Sequence, residues 1–321
     1  MKKIILDLDT GIDDAMALSI ALGSQEIELL GVVGTYGNVY TEQGVKNVAN
    51  ILTMTGNENI PVYAGENHAL NKDSFERLEI SAKIHGQNGL GEVVLKESQK
   101  DIHNNGTQYI VDMINKYGKD LTIVATGPIT NLGKALQIDK TIAEKVGQIV
   151  IMGGALTVPG NVSPFAEANI SQDPYAAKLL FDSGANVIMV GLDVTTRSVL
   201  KLTDTDKWRK TNTETGRKLA DAVDYYIHIH DEIAPGVNGS YLHDPSAVIA
   251  AVHPEWFEML PLYLNVEQEG PSVGRTIAYA EKVRESNPNV RVCINVNSSK
   301  IVDYLNESIL NLSTKKTKDI F

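Results

Sequence analysis

The sequence KIILDLDTGIDDAMAL, residues 3–18, decides the fold of this chain. Its apolar start predicts a buried strand that ends at Leu8, and the spacing of Met16, Ala17 and Ile20 predicts a helix directly after it. Four aspartates lie at this junction: Asp7, Asp9, Asp13 and Asp14. Because open α/β sheets bind ligands where a strand ends and a helix begins, these aspartates mark a candidate site.

Mutual repulsion is the main physical property of the four aspartates. Each carboxylate raises the pKa of its neighbours unless a positive charge lies close by. The sequence has no lysine or arginine between Lys3 and Lys46 that could supply this charge locally. A hard divalent cation is the simplest partner that remains.

Neither helix capping nor an EF-hand loop accounts for the whole acidic run. Asp13 or Asp14 could cap the N-terminus of the helix, but capping requires one or two acids and not four. A calcium-binding EF-hand loop needs acids at its first, third and fifth positions and a glutamate at its twelfth. Counted from Asp7, the fifth position is Gly11 and the twelfth is Leu18, so the EF-hand pattern fails.

Composition narrows the class of protein. The chain has 321 residues, of which 43% are hydrophobic, and a formal net charge of −11. This charge argues against nucleic acid and anionic membrane partners, since either would favour a basic face. Asp7 ends the first apolar run too early for a signal peptide, and no apolar stretch is long enough for a membrane span. The single cysteine, Cys293, suits a reducing compartment, so we expect a cytoplasmic protein.

Short β-rich runs alternate with helical patterns along the chain. Predicted strands cover residues 3–8, 28–34, 121–126, 148–152, 186–190, 260–266 and 290–296. Predicted helices cover residues 14–22, 44–55, 107–116, 130–135, 174–182, 216–233, 245–252 and 299–308. This alternation predicts an α/β fold with a mainly parallel, open sheet flanked by helices, in a single domain of residues 1–321. The polar residues 67–105 and 203–215 are expected to form surface insertions.

Polar motifs stand at several predicted strand ends. They read GTYGN at residues 34–38, ATGPITN at 125–131, GNVSPFAEAN at 160–169, and LHDP at 242–245 before an apolar helix. Together with the acidic opening, these motifs resemble those of the nucleoside hydrolase family of the inosine-uridine preferring type, over nearly the whole chain. The resemblance implies a Rossmann-like sheet and hydrolysis of the N-ribosidic bond of a small-molecule nucleoside.

The resemblance also implies a metal centre and a general base. The metal is Ca²⁺, and its ligands correspond to Asp9, Asp14, the backbone carbonyl of Thr126, and Asp244. Three carboxylates and a carbonyl are hard oxygen donors, which suit Ca²⁺ better than zinc. Asp9 corresponds to the base that takes a proton from the attacking water.

Substrate contacts follow from the same resemblance. The ribose contacts correspond to Asp13 and Asn169 at the 2′-hydroxyl, Asn38 near the 3′-hydroxyl, and Asn161 and Glu167 at the 5′-hydroxyl. Asp7 corresponds to an acid that orients its neighbours. His243 corresponds to a catalytic histidine beside the departing base, and His85 to a second pocket histidine on a mobile loop.

The base preference and the physiological substrate stay open. Ala168 stands where many relatives carry phenylalanine, which widens the pocket, and residues 225–230 form a candidate wall without assigned roles. The alternatives are a pyrimidine-specific or nicotinamide-riboside hydrolase on the same site, and a non-catalytic nucleoside-binding protein. A further alternative is a Mg²⁺-dependent phosphohydrolase with Asp7 as nucleophile, because residues 7–10 superficially resemble the haloacid dehalogenase pattern. The family resemblance implies a homodimer or homotetramer.

Overall fold

A computed structural model describes residues 1–282 and 288–314. The strands are β1 (Lys2–Leu8), β2 (Ile27–Gly34), β3 (Val62–Ala64), β4 (Ile102–His103), β5 (Leu121–Ala125), β6 (Gln148–Met152), β7 (Val187–Val190), β8 (Val199–Leu200), β9 (Ser240–Tyr241), β10 (Phe257–Leu262), β11 (Leu264–Val266), β12 (Thr276–Ala278) and β13 (Val290–Val296). The helices are α1 (Ile12–Gly23), α2 (Thr41–Met54), α3 (Glu79–His85), α4 (Gly106–Tyr117), α5 (Thr130–Ile138), α6 (Ile142–Lys145), α7 (Ala168–Gln172), α8 (Pro174–Asp182), α9 (Leu192–Thr195), α10 (Leu202–Arg209), α11 (Glu214–Ile233), α12 (His243–Val252) and α13 (Ser298–Thr314). Within this part of the chain, no helix combines the length and apolarity needed to cross a membrane.

One large open sheet organises the described residues. Its nine strands lie in the order β10-β13-β7-β6-β5-β1-β2-β3-β4. Neighbouring strands run parallel except at one edge, where β10 is antiparallel to β13. The predicted mainly parallel α/β sheet is therefore confirmed. The chain extends the sheet outwards from β1 to β4 and then returns to place β5 on the other side of β1. Ligands bind at such switch points in open sheets.

Both faces of the sheet are covered by helices. In β1, Ile4 and Leu6 belong to one apolar core and Ile5 belongs to the other, as the twofold alternation of a strand requires. The first core includes side chains from α1, α2, α11, α12 and α13, and the second includes side chains from α4, α5 and α8. Strands buried on both faces are apolar at nearly every position. This explains why β1, β5 and β6 are recognisable in the sequence.

The prediction of a single strand over residues 260–266 is wrong. β10 pairs with β13 at the edge of the main sheet, whereas β11 pairs with β12 in a separate two-stranded sheet. The side chain of Asn289 accepts from the backbone N–H of Leu264 at 2.7 Å and donates to its carbonyl at 3.0 Å. The Asn289 side chain thus bonds both backbone groups of Leu264 at the start of β11. Leu264 and Val266 are buried in the second core, so the apolar run continues although the strand partner changes.

The prediction of a surface insertion at residues 203–215 is wrong in part. This stretch contains most of α10, and its Trp208 is fully buried. The indole Nε1–H donates to Oδ1 of Asn306 on α13 at 2.8 Å. A single buried aromatic among polar residues produces no periodic pattern, so the sequence does not reveal it. Residues 67–105 are mostly exposed, as predicted, but they include α3 and the buried His85.

Candidate active site

A cavity of about 560 Å³ opens at the carboxyl ends of the strands. It is lined by predicted site residues from distant parts of the chain: Asp13, Asn38, His85, Thr126, Asn161, Glu167, Asn169, His243 and Asp244. Asp9 and Asp14 are fully buried behind this lining and contact Asn38. The fold therefore brings the predicted residues to one place, at the switch point between β1 and β5.

Three buried carboxylates cluster at the floor of the cavity, where Asp13 and Asp244 line it and Asp14 lies directly behind them. One oxygen each from Asp13, Asp14 and Asp244 lie within 4.8 Å of one another. Oδ1 of Asp13 and Oδ2 of Asp244 are buried and have no hydrogen-bond partner among the described residues. Around a calcium ion with Ca–O distances of about 2.3–2.6 Å, two ligand oxygens lie at most about 5 Å apart. The spacing and the unpartnered oxygens therefore fit one hard divalent cation.

Asp14 caps the start of α1 and also belongs to the acidic cluster. The backbone N–H of Gly11 donates to its Oδ2 at 2.8 Å, so this carboxylate caps the start of α1. The hydroxyl of Thr126, which directly follows β5, donates to its Oδ1 at 2.7 Å. Capping and metal binding are thus compatible at the same residue.

Asp9 lies beside the cluster rather than in it. The backbone N–H of Asn38 donates to Asp9 Oδ2 at 2.7 Å, and its Nδ2 lies 3.3 Å from both Asp9 Oδ1 and Asp14 Oδ2. Gly37 has a φ of +150°, and a Cβ there would lie 2.0 Å from Asp9 Oδ2. The predicted ligand set contains Asp9, whereas the set of oxygens that the structure brings together contains Asp13 instead.

Asp7 lies outside the cavity. It is fully buried, and Nδ2 of Asn131 donates to its Oδ1 at 2.7 Å. Its burial on β1, two residues before Asp9, counts against the alternative in which Asp7 attacks a phosphate ester, because a nucleophile must reach the substrate.

Burial raises the pKa of every carboxyl group in this region. The pKa values of Asp9 and Asp244 lie well above the usual range, with repulsion by Asp14 and Asp13 respectively as the second cause. The pKa of Asp13 rises to about 7, because of burial and then repulsion by Asp14. Burial likewise raises the pKa of Asp7 to about 7, although the bond from Asn131 opposes this shift. A cation that binds here must therefore displace protons.

Of the two histidines predicted from the sequence, His85 is buried and His243 is half-buried, and desolvation lowers the pKa of each to about 3. The backbone N–H of Ile12 donates to Nδ1 of His85 at 3.1 Å, so this nitrogen carries no proton. The separation of 3.8 Å between His85 Nδ1 and Asp13 Oδ1 is consequently not an ion pair. His243 lies against the Thr195 hydroxyl, which is 2.8 Å from its Nδ1.

Three of the residues predicted to contact the ribose, Asn161, Glu167 and Asn169, also make hydrogen bonds that fix the loop in which they lie. Nδ2 of Asn169 donates to the carbonyl of Thr126 at 2.7 Å. The carboxylate of Glu167 caps α7 and accepts three backbone N–H bonds, from Gly154, Asn169 and Ile170. Oδ1 of Asn161 accepts from the backbone N–H of Ala168 at 3.0 Å. All three side chains line the cavity, and their geometry depends on these bonds.

An aromatic wall connects His85 and His243, and the three rings between them were given no role from the sequence. The wall runs from His85 through Tyr226, His230 and Tyr241 to His243, with ring centroids 5.5, 4.3, 5.9 and 5.8 Å apart in turn. The four-residue spacing of Tyr226 and His230 on α11 places both on one helix face, which is the signal that could have identified them. Tyr226 also donates to Asp13 Oδ2 at 3.3 Å.

Comparison with known proteins identifies the family. The sequence profile described as inosine-uridine preferring nucleoside hydrolase matches residues 4–303. The chain belongs to this family. This nucleoside hydrolase is 35% identical over 317 residues to a probable uridine nucleosidase 2 of Arabidopsis thaliana, and the match covers 96% of this chain and 98% of the relative. It is 32% identical to a pyrimidine-specific ribonucleoside hydrolase of an Enterobacter species, with coverages of 97% and 99%.

Solved structures agree with this family. A purine-preferring ribonucleoside hydrolase from Gardnerella vaginalis is 47% identical, with a TM-score of 0.95 and coverages of 97% of this chain and 99% of that one. A plant nucleoside hydrolase is 34% identical, with a TM-score of 0.88 and coverages of 96% and 99%. This nucleoside hydrolase is therefore an enzyme that hydrolyses the N-glycosyl bond of ribonucleosides.

Proposed function

We propose that this nucleoside hydrolase requires Ca²⁺, uses Asp9 as general base and uses His243 to assist departure of the base. The observation that carries the proposal is the buried acidic cluster with unpartnered oxygens on the floor of a nucleoside-sized cavity. Asp9, Asp14, the Thr126 carbonyl and Asp244 would hold the ion, and Asp13 adds a further oxygen. When bound, Ca²⁺ lowers the pKa of a coordinated water and ligates ribose hydroxyls.

The protein's own groups perform the proton transfers and the positioning. Asp9 accepts the proton of the water that attacks the anomeric carbon, and Asn38 holds the Asp9 carboxylate in place through its backbone and side-chain N–H groups. As the bond between C1′ and the base nitrogen breaks, its electron pair moves to the base. An N–H of His243 donates to the base and stabilises this developing charge. The ribose is oriented by the residues to which the family resemblance gives this role: Asp13, Asn38, Asn161, Glu167 and Asn169.

We propose that both purine and pyrimidine ribonucleosides are substrates. The cavity lining includes flat rings such as Tyr226 and His230 and apolar side chains such as Ile84 and Leu192, and we assign the base to this surface. Stacking surfaces of this kind accept either ring size. The relatives' names cover both classes of base, since one relative is purine-preferring and others are uridine or pyrimidine enzymes, so relatives of this chain act on either class.

A substrate panel tests the proposal. We expect release of free base and ribose from inosine, adenosine, uridine and cytidine, compared by kcat/KM, with nicotinamide riboside as the fifth substrate. Turnover of nicotinamide riboside alone would assign the enzyme to that narrower substrate. Cleavage of phosphate esters would support the phosphohydrolase alternative, and saturable binding without turnover would support the binding-protein alternative.

We also propose that residues 1–321 form a single domain and assemble into a homodimer or homotetramer. The proposal rests on the family resemblance and on the coverage of nearly the whole chain by one family profile. Light scattering after size-exclusion chromatography measures the oligomeric state, and a monomer at micromolar concentration would contradict it. Limited proteolysis that separates two stable fragments would contradict the single domain.

A further inference from the structure

We propose that Thr195 is a positioning residue that holds His243 in the tautomer with its proton on Nε2. This inference rests on the proposed role of His243 in the departure of the base. Thr195 is not among the site residues that sequence motifs and family resemblance identified. Its hydrogen bond determines which ring nitrogen of His243 faces the substrate.

Thr195 is placed to control the histidine ring. It is the last residue of α9 and is fully buried, and its Oγ1 lies 2.8 Å from His243 Nδ1. The next residue, Thr196, follows α9 and donates its hydroxyl back to the carbonyl of Leu192, the first residue of that helix. The hydroxyl of Thr195 instead reaches across to the first residue of α12.

The direction of this hydrogen bond follows from the surroundings of Thr195. Among the residues that the structure describes, the hydroxyl of Thr195 has His243 as its one hydrogen-bond partner. A buried O–H without an acceptor is costly, so the hydroxyl donates to His243 Nδ1. A nitrogen that accepts a hydrogen bond carries no proton, and in a neutral imidazole the proton is then on Nε2.

The tautomer of His243 determines which group this side chain presents to the departing base. With Nδ1 held by Thr195, Nε2 is the nitrogen of His243 that remains for the cavity lined by this side chain. Its N–H can donate to a base nitrogen as the C1′–N bond breaks and the electron pair moves to the base. Without the hydroxyl, the ring can shift its proton to Nδ1. A lone pair on Nε2 would then face the developing negative charge and repel it.

Substitution of Thr195 tests the inference. Thr195→Val removes the hydroxyl and keeps the shape of the side chain, whereas Thr195→Ser retains the hydroxyl. We expect Thr195→Val to lower kcat for inosine roughly ten- to hundredfold, the usual effect of losing an outer partner that orients a working side chain. Hydrolysis of a nitrophenyl riboside, whose leaving group needs no donor, should stay nearly unchanged. Thr195→Ser should recover most of the inosine activity. Thr122→Val, at another buried threonine in β5, is the matched control.

A double-variant comparison separates this inference from the proposed role of His243. If Thr195 acts through His243, Thr195→Val should cause no further loss on inosine in the His243→Ala background. An equal loss on inosine and the nitrophenyl riboside in His243→Ala would overturn the proposed role of His243. A selective loss in His243→Ala together with an equal loss on both substrates, or none, in Thr195→Val would overturn the inference about Thr195.

Nitrogen NMR of the unsubstituted enzyme gives a readout that does not depend on any Thr195 variant folding. Long-range couplings in the ¹⁵N-labelled, calcium-loaded protein distinguish the two neutral tautomers of each imidazole ring. The His243 signals are identified by their loss in His243→Gln. We expect the pattern of an Nε2–H ring, and the pattern of an Nδ1–H ring would contradict the inference.

Discussion

Asp9 and Asp244 are both buried acids next to the same cavity, yet their substitution should have different effects. Asp9→Asn keeps an oxygen near the cluster but cannot accept a proton from water. We expect kcat to fall by roughly 10²–10⁴-fold, the usual contribution of a general base. KM should change less, because the ribose contacts remain. Steady-state kinetics with inosine and uridine measure both quantities.

Two further substitutions serve as comparisons for Asp9→Asn. Asp244→Ala removes an oxygen of the acidic cluster, so calcium affinity and KM should worsen together with kcat. Asp182→Asn changes an exposed acid that pairs with Lys178 and should leave all three quantities unchanged. If Asp9→Asn kept kcat within a factor of about three, Asp9 would not be the general base.

His243 should show its role through the choice of leaving group. Purines can receive a proton or hydrogen bond at N7, whereas uracil has no such atom. We expect His243→Ala to slow inosine hydrolysis by roughly 10²-fold or more and uridine hydrolysis by less. A nitrophenyl riboside should react at nearly the original rate. Equal losses on all three substrates would show that His243 shapes the pocket or supports Asp244 without donating to the base.

The sequence predicts the polar residues of the site better than the aromatic ones. Asp13 and Asp14 belong to a compact motif after β1, and Asp244 belongs to a compact motif at the start of α12; the fold brings the two motifs together. Tyr226 lies in the candidate wall of residues 225–230, and Tyr241 directly precedes the LHDP motif, but the packing of α11 and β9 is what places their rings beside the histidines. The spacing of Tyr226 and His230 indicates a shared helix face, whereas the partners of that face leave no local pattern in the sequence.

The loop after β2 carries a close contact on which the site depends. Gly37 has a φ of +150°, and an added Cβ would lie 2.0 Å from the Asp9 carboxylate. Gly37→Ala must therefore displace Asp9 or the loop. We expect kcat/KM to fall by roughly 10²-fold, which a displacement of about 1 Å can cause. The measurement is kcat/KM for inosine, with circular dichroism to verify folding.

Gly184→Ala is the matched control for Gly37→Ala. Gly184 also has a positive φ, +78°, but an added Cβ would meet no atom within 4 Å. The conformational cost of about 1–2 kcal/mol should lower its folding stability and leave kcat/KM unchanged. Equal activity losses in the two variants would mean that backbone strain, and not contact with Asp9, causes the effect.

The bounds of strands and helices were predictable from the sequence where a single physical signal defines both ends. The bounds of β6, β13 and α8 agree with the predicted ranges, because an apolar run defines β6, a β-rich run interrupted by Arg291 and Asn295 defines β13, and Pro174 starts α8. The boundary between β10 and β11 was not predictable, since both strands are apolar and only their partners differ. The burial of Trp208 depends on α13, which lies far along the chain.

Removal of the cation should affect the whole molecule. If Ca²⁺ holds the cluster, chelation should abolish turnover and lower the melting temperature, because a ligand that binds only the folded state stabilises it. Calcium should restore both properties better than Mg²⁺, which dehydrates reluctantly and demands an octahedral site. Activity assays and thermal denaturation before and after chelation measure this. Full activity in a protein shown by elemental analysis to be free of metal would exclude the assignment.

The pH dependence of stability should differ between the metal-free and calcium-loaded protein. Burial raises the pKa of Asp7 and Asp13 to about 7, whereas an unfolded aspartate has a value of about 3.8. The folded metal-free protein therefore keeps protons that the unfolded chain releases. The folding stability that Asp7 and Asp13 contribute to the metal-free protein is fully present below about pH 4 and is lost as the pH rises through about 7. Calcium needs ionised ligands, so the difference in melting temperature between the two forms should widen from about pH 5 to about pH 8. A constant difference would contradict this.

The central position of β1 in the sheet has a consequence for biosynthesis. The ribosome delivers β1 and its aspartates first, but β5, the neighbour on its other side, emerges much later, and Asp244 later still. At about 5–20 residues per second, the nascent chain carries Asp13 and Asp14 for on the order of ten seconds or more before Asp244 is made. The cation site is thus completed only when α12 has been translated. A cation that binds at this site therefore cannot guide early folding through it, and a product truncated before α12 lacks Asp244 of the acidic cluster.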